Sequence, residues 1–380
     1  MLAASADPLL RFTGTYPAGS SARQPFLQFH ATRHGGTRDP DIMSPHRCAS
    51  GRMGSCHEVG LPVGAATMGA MGNRSEYLDS RILDAELAIR RLYGLQVDQR
   101  SITVRSGASV RVLSTGEGPP VLLLHGATMT AAAWAPLMAA LGGFRLHAVE
   151  LPGHGLSDAG DYRTGGLRPF AQSLLLDVVT DLVDSPIPMI GNSLGAMFAL
   201  WFAADHPELV TTVISIGTPA IALPGTVVRM PLALLNLPVV GRASLRFPLP
   251  RLAYKWVLRA GLGTDASAAM PACLLDELRL SARRNATSLA QLNRAMNRFT
   301  QPRVENVMTA KELRKVVCRP LFIWGSEDCY LGIDQARKWV AASDGARIQE
   351  TPGGHAPWIA DPHGLADIIA AHLRHESDQC

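Results

Sequence analysis

Ser193 stands where the sequence could organise chemistry. A serine hydroxyl is a poor nucleophile at neutral pH. To attack a carbonyl it needs a base to take its proton and an anion to steady that base. The chain supplies these types in the order Ser, Asp, His. Ser193 lies in Gly191-Asn192-Ser193-Leu194-Gly195, Asp328 in Trp324-Gly325-Ser326-Glu327-Asp328 and His355 in Gly353-Gly354-His355-Ala356-Pro357. Each follows a short run that reads as a strand, so all three are expected in loops at the same edge of a sheet. Glu327, beside Asp328, is the alternative acid. Taken singly, the pentapeptide is also what a glycine-bounded turn would show, Asp328 could cap the next helix, and His355 is one of 12 histidines. Shared position and chain order set the three apart.

The surrounding residues fit the same chemistry. Gly191 and Gly195 leave room for a tight strand-to-helix turn that lifts the serine above the sheet edge. The backbone N–H of Leu194 then opens a helix and can face a developing negative charge. A second such donor is expected at Ala127, just after His125-Gly126, with His125 packing beneath it. Losing one such donor costs about a hundred- to thousandfold in rate.

These residues need a sheet to hold them, and the apolar pattern supplies one. Residues 1–74 carry Gly, Ser, Ala, Pro, Arg and His without a sustained period and are expected to be a disordered extension. Its His46, Cys48, Cys56 and His57 match no standard zinc spacing, and no metal is expected. Met68 and Met71 at its end are candidate translation starts. A helix follows from 75 to 94, with Leu78, Ile82, Leu83, Leu87 and Leu92 as its apolar residues. Strands are expected at 101–105 and 108–113 as a hairpin, then at 121–124, 144–150, 186–190, 210–216, 319–325 and 346–351. Helices are expected at 131–141, 167–183, after Ser193, from 333 and at 362–375. This alternation predicts an α/β fold with a mostly parallel sheet covered by helices on both faces. It breaks at 221–305, where a proline-punctuated helical pattern predicts a lid inserted after the sixth strand, leaving 75–220 and 306–380 as the core.

Bulk properties narrow the function classes. With 47% apolar and 18% charged residues the chain can build a large core. A net charge of +4 is too small to suggest nucleic-acid binding. Six scattered cysteines do not form a secreted disulfide framework. No leader peptide or membrane-length apolar run is evident, so a cytoplasmic location is expected. In the lid, basic residues from Arg229 to Arg298 outnumber Asp265, Asp276 and Glu277, and Leu235, Phe247, Trp256 and Leu262 are interleaved. A solvated basic face is one reading. The other has the apolar face lining an acyl pocket and the basic face attracting anionic substrates or a membrane surface.

Together, His125-Gly126, the 151–157 segment Leu-Pro-Gly-His-Gly-Leu-Ser, the Ser193 pentapeptide, the Asp328 segment and Gly354-His355-Ala356-Pro357 resemble the α/β-hydrolase superfamily from about residue 101 onward. The resemblance implies a cofactor-free Ser-Asp-His hydrolase with a cap. A serine at 193, where dehalogenases and epoxide hydrolases carry Asp, speaks against those activities. The pentapeptide is similar to those of small carboxylesterases and of hydrolases of ring-cleavage products. The expected function is hydrolysis of a small-molecule carboxylic ester through an acyl-enzyme. Carbon–carbon bond hydrolysis of a diketone-like acid and a non-catalytic ligand receptor are the alternatives, and oligomeric state is left open.

Overall fold

Eight strands pair into one sheet, the inner ones apolar and the two edge strands largely polar. They are β1 (Asp98–Thr103), β2 (Ser109–Thr115), β3 (Pro120–Leu124), β4 (Arg145–Glu150), β5 (Ile187–Asn192), β6 (Val210–Ile216), β7 (Leu321–Gly325) and β8 (Arg347–Thr351). The computed structural model describes residues 74–377 except 229, 231 and 248. The expectations for 1–73, including the His46, Cys48, Cys56 and His57 cluster, and for Arg229 lie outside the described residues.

The spatial order is β1-β2-β4-β3-β5-β6-β7-β8. β2 pairs antiparallel with both β1 and β4, and every other pairing is parallel. Side chains alternate between two cores. Leu122, Leu124, Met189, Phe322 and Trp324 face one, while Val121, Leu123, Ile190, Leu321 and Ile323 face the other. Helices α3 (Leu167–Leu182), α4 (Leu194–Asp205) and α11 (Ile333–Val340) cover the first face. Helices α2 (Ala135–Ala140) and α12 (Pro362–Ser377) cover the second. Burial on both faces explains why β3 and β7 read as unbroken apolar runs.

Most elements fall where periodicity puts them, and the departures have local causes. The helix expected at 131–141 divides into a 3-10 turn, Ala131–Trp134, and α2, whose first turn carries Pro136. Proline has no N–H to continue the preceding turn. β1 ends at Thr103 because Val104 and Ala108 close the hairpin loop with a 3.0 Å backbone bond.

The first helix, α1 (Arg74–Leu92), presents a different face from the one its leucines suggest. Leu78, Ile82 and Ile89 are buried, but Leu83 and Leu87 are each 46% exposed and Leu92 is 56% exposed. Glu86 decides the orientation. It meets Arg111 on β2, whose guanidinium also binds Glu150 on β4 at 2.8 and 3.0 Å. All three side chains are at most 4% exposed. Burial raises the Glu86 carboxyl against the opposing pull of Arg111.

Between β6 and β7 the chain makes α5 (Pro238–Arg246), α6 (Arg251–Leu262), α7 (Thr264–Ala269), α8 (Ala272–Arg284), α9 (Ala286–Met296) and the short α10 (Ala310–Leu313). Prolines that interrupt the sequence pattern start these helices. Pro238 opens α5, and Pro250 and Pro271 precede α6 and α8 as N-caps. Side chains of α8 dock this insertion on the core. Glu277 Oε2 accepts from Thr130 Oγ1 at 2.8 Å, and Ser281 Oγ accepts from the Gly155 N–H at 2.8 Å. Arg284 Nε donates to Asp79 Oδ1 at 2.5 Å, and its Nη1 donates to Ser157 O at 3.2 Å. Part of the basic excess is therefore structural, since Arg251 and Arg279 likewise pair with Asp276.

Candidate active site

The turn from β5 into α4 is made by Ser193 alone, at φ 51° and ψ −110°. A non-glycine residue there costs on the order of 1–3 kcal/mol and persists only when its surroundings enforce it. The enforcing contacts are close. A Cβ on Gly191 would lie 2.5 Å from Ala196 Cα, and one on Gly195 would lie 2.6 Å from Leu124 Cβ. Either would push α4 off the sheet. Both glycines are therefore required by approach of neighbouring chain.

Asp328 follows β7, His355 follows β8, and the structure brings both to Ser193. His355 Nδ1 is 2.7 Å from Asp328 Oδ2. The same oxygen accepts the Thr218 N–H at 2.8 Å, and Oδ1 accepts the Tyr330 N–H at 3.0 Å. Burial alone would raise this carboxyl, but the charge and hydrogen bond of His355, with the two backbone donors, hold it below the ordinary carboxylate value. An ionised Asp328 makes Nδ1 the protonated ring nitrogen and leaves the Nε2 lone pair for use as a base. His355 Nε2 is buried and without a hydrogen-bond partner among the described residues. His355 lines, with Ser193, Ala127 and Tyr330, a cavity of about 80 Å³. Glu327, the alternative acid, instead lines a separate surface pocket together with Trp256 and Arg259.

Leu194 is the first residue of α4, so its N–H has no carbonyl partner within the helix. The Ala127 N–H belongs to the Gly126–Ala127 peptide. Its carbonyl oxygen is held by His125 Nδ1 at 2.9 Å and by the Met129 N–H at 3.0 Å. In a trans peptide the N–H points opposite to the carbonyl, so these bonds fix where the Ala127 donor points. His125 Nε2 accepts the Leu151 N–H at 3.0 Å. Burial, with the nearby His154, keeps the His125 ring well below its ordinary value and hence neutral, as the two bonds require.

Three site residues carry roles that the sequence reading did not assign. Asn192 Nδ2 donates to Ile216 O at 2.8 Å and to His355 O at 3.0 Å, which ties the elbow to β6 and to the histidine loop. Tyr330 sets its ring edge-on to His355 with centroids 4.5 Å apart. Gly217 has φ 70°, and a Cβ there would lie 2.8 Å from His355 Nδ1 and 3.1 Å from Asp328 Oδ2. Asn192 sits inside the elbow motif and Gly217 directly after β6, so both had a visible signal in position. Beyond the small cavity, the insertion encloses another of about 450 Å³, and the two share Thr128, Leu235 and Leu262. Among the described residues no group of three His, Cys, Asp or Glu side chains could hold a metal ion, and no helix is long and apolar enough to cross a membrane.

A mostly parallel sheet of this strand order, with a strained serine turn and a buried Asp-His pair at its edge, defines a class. Residues 121–368 match the Alpha/beta hydrolase family, and the chain belongs to it. An uncharacterized protein of Mycobacterium tuberculosis is 28% identical over 271 residues, covering 67% of this chain and 75% of that protein. A pimeloyl-[acyl-carrier protein] methyl ester esterase of Chromobacterium violaceum is 24% identical, covering 69% of this chain and 97% of that protein. Among solved structures, a carboxylesterase from Bacillus subtilis superposes with TM-score 0.62 at 17% identity, covering 78% of this chain and 98% of that one. A putative lipase from Acinetobacter baumannii also gives 0.62 at 17% identity, with coverage of 83% and 100%.

Proposed function

We propose that this protein is a serine esterase in which Ser193, His355 and Asp328 act as the triad and the N–H groups of Ala127 and Leu194 as the oxyanion hole. The observation that carries this reading is the His355–Asp328 contact at 2.7 Å, with the opposite ring nitrogen buried and without a partner among the described residues, and with His355 and Ser193 lining one cavity. His355 Nε2 takes the hydroxyl proton as Ser193 Oγ attacks the ester carbonyl. The negative charge that develops on the carbonyl oxygen meets the two backbone donors. His355 then returns the proton to the leaving alcohol. Water repeats the sequence on the acyl-Ser193 and releases the acid.

Ester hydrolysis is also what the names of the Chromobacterium and Bacillus proteins describe. The insertion acts as a cap, because α5, α6, α8 and α9 supply most of the wall of the larger cavity. Turnover of p-nitrophenyl butyrate, together with mass-spectrometric mapping of a fluorophosphonate adduct, tests the proposal. The adduct is expected on Ser193, and Ser193→Ala should lose both signals. Folded protein that neither turns over the ester nor takes the label would overturn it in favour of a ligand-binding role.

A further inference from the structure

The larger cavity carries a feature that ester hydrolysis alone does not explain. Leu235, Leu245, Val257, Leu258, Leu262 and Leu289 give it apolar walls, yet Arg279 and Arg283 also line it, and among the described residues no acidic side chain does. Helix geometry shows why they are there. Glu277, Ser281 and Arg284 recur at four- and three-residue spacing and hold the core, so they occupy one face of α8. Arg279 and Arg283, one turn apart, fall on the opposite face and take no part in that docking.

Their hydrogen-bonding capacity is largely unused. The Nε atoms of both are buried without a partner among the described residues. Arg279 Nη1 donates to Leu249 O at 3.2 Å, and Nη2 is 3.5 Å from Asp276 Oδ1. Arg251 binds that carboxylate more closely, at 2.7 Å from Nε. For Arg283 there is no hydrogen bond or ion pair among the described residues. Two guanidinium groups beside an apolar wall match a planar oxyanion, which can accept paired N–H donors from them. The wall leads back to the reacting atoms, since Thr128, Leu235 and Leu262 border both cavities.

We propose that the cavity selects esters whose acyl chain is apolar along its length and ends in a carboxylate received by Arg279 and Arg283. This rests on the esterase reading and names the substrate class for it. A volume of about 450 Å³ falls within the range of small-molecule sites. The opposing reading is a solvated rim, because Phe247 and Leu249 line the same cavity and are 71% and 36% exposed.

The test compares p-nitrophenyl octanoate with mono-p-nitrophenyl suberate, which have the same carbon count and differ in a terminal methyl or carboxylate. A charge-assisted contact should raise kcat/KM for the suberate ester roughly ten- to hundredfold over the octanoate, chiefly through KM. Arg283→Gln should erase that ratio and Arg283→Lys should retain part of it. Calorimetry with Ser193→Ala should give the same ratio in Kd, a readout that needs no hydrolysis and no Arg283 variant to fold. Equal or lower values for the suberate ester in both measurements would establish the solvated rim and overturn the proposal. If folded wild-type protein cleaves neither ester, the esterase reading fails, while the Kd ratio still judges the cavity.

Discussion

Replacing Asp328 by Asn removes one charge and turns one acceptor into a donor where three N–H groups converge. Two of them, His355 Nδ1 and the Thr218 N–H, meet Oδ2, and the Tyr330 N–H meets Oδ1. If the amide nitrogen takes the Oδ2 position, the imidazole must accept at Nδ1. The proton then moves to Nε2, Ser193 loses its base, and the Thr218 donor is orphaned. If it takes the Oδ1 position, the base survives but the imidazolium formed in the reaction has no counter-charge, and the Tyr330 donor is orphaned. Either orientation strands one backbone donor, at about 1–3 kcal/mol of stability. Removal of the buried carboxylate's own desolvation cost offsets part of that. The loss in kcat should be about ten-thousandfold by analogy with other Ser-His-Asp triads. That corresponds to about 5.4 kcal/mol of barrier, well beyond what one orphaned donor supplies. Activity should therefore fall much further than stability. Initial rates on p-nitrophenyl butyrate, set beside urea midpoints, check this, with Glu327→Gln expected to stay near wild type. An Asp328→Asn enzyme within tenfold of wild type, or a Glu327→Gln enzyme that loses activity, would refute the assignment of the acid.

The remaining predictions concern the supports. Gly217→Ala should lower kcat about a hundredfold through displacement of the His355–Asp328 pair, and steady-state kinetics showing an unchanged kcat would refute it. Arg111→Met strands Glu86 and Glu150 in the interior and should cost about 3–5 kcal/mol, read from a denaturant titration. Glu277 is held well above its ordinary value of 4.5, first by burial and then by Glu86 and Glu150. A carboxyl kept protonated by the fold favours the folded state most below its unfolded value and loses that advantage as pH rises towards its folded one. Glu277→Gln should therefore raise Tm relative to wild type at pH 8, with a difference that shrinks towards pH 5 in melting curves by circular dichroism.

What could be read from the sequence was whatever depends on neighbours in the chain. The runs at 121–124 and 210–216, the elbow around Ser193 and the short segments that carry Asp328 and His355 each sit inside a short window of residues. The leucines of α1 marked the helix but not which of them it buries, because Glu86 meets Arg111 on its inner face and periodicity carries no information about a partner on another strand. Gly217 was visible only as the residue ending a strand. Its necessity comes from His355, which the sheet brings beside it from a distant part of the chain. Prolines of the insertion read as interruptions, and the structure uses them as helix starts. The excess of arginine there was plain, but which of them meet Asp79 or Asp276 and which face the cavity depends on how α8 is rolled against the core.

The two halves of the site are held by different kinds of bond, and this bears on how each can vary. Backbone bonds fix the loops that carry Asp328 and His355. Gly217 N–H donates to Ile323 O at 2.8 Å, Ser326 N–H to Thr351 O at 2.8 Å, Glu327 N–H to Gly353 O at 2.9 Å and Asp328 N–H to Gly325 O at 3.0 Å. Such bonds need no particular side chain, so the pairing of β7 with β8 places Asp328 and His355 wherever the loop glycines such as Gly217 and the Asn192 amide keep their room and their bond. The docking of α8 is different, because it depends on the side chains of Glu277, Ser281 and Arg284 meeting Thr130, Gly155, Asp79 and Ser157. A substitution on that face can roll α8 and move Arg279 and Arg283 without disturbing the pairing of β7 with β8. Changes in the insertion should therefore alter which ester is accepted before they alter how it is cleaved.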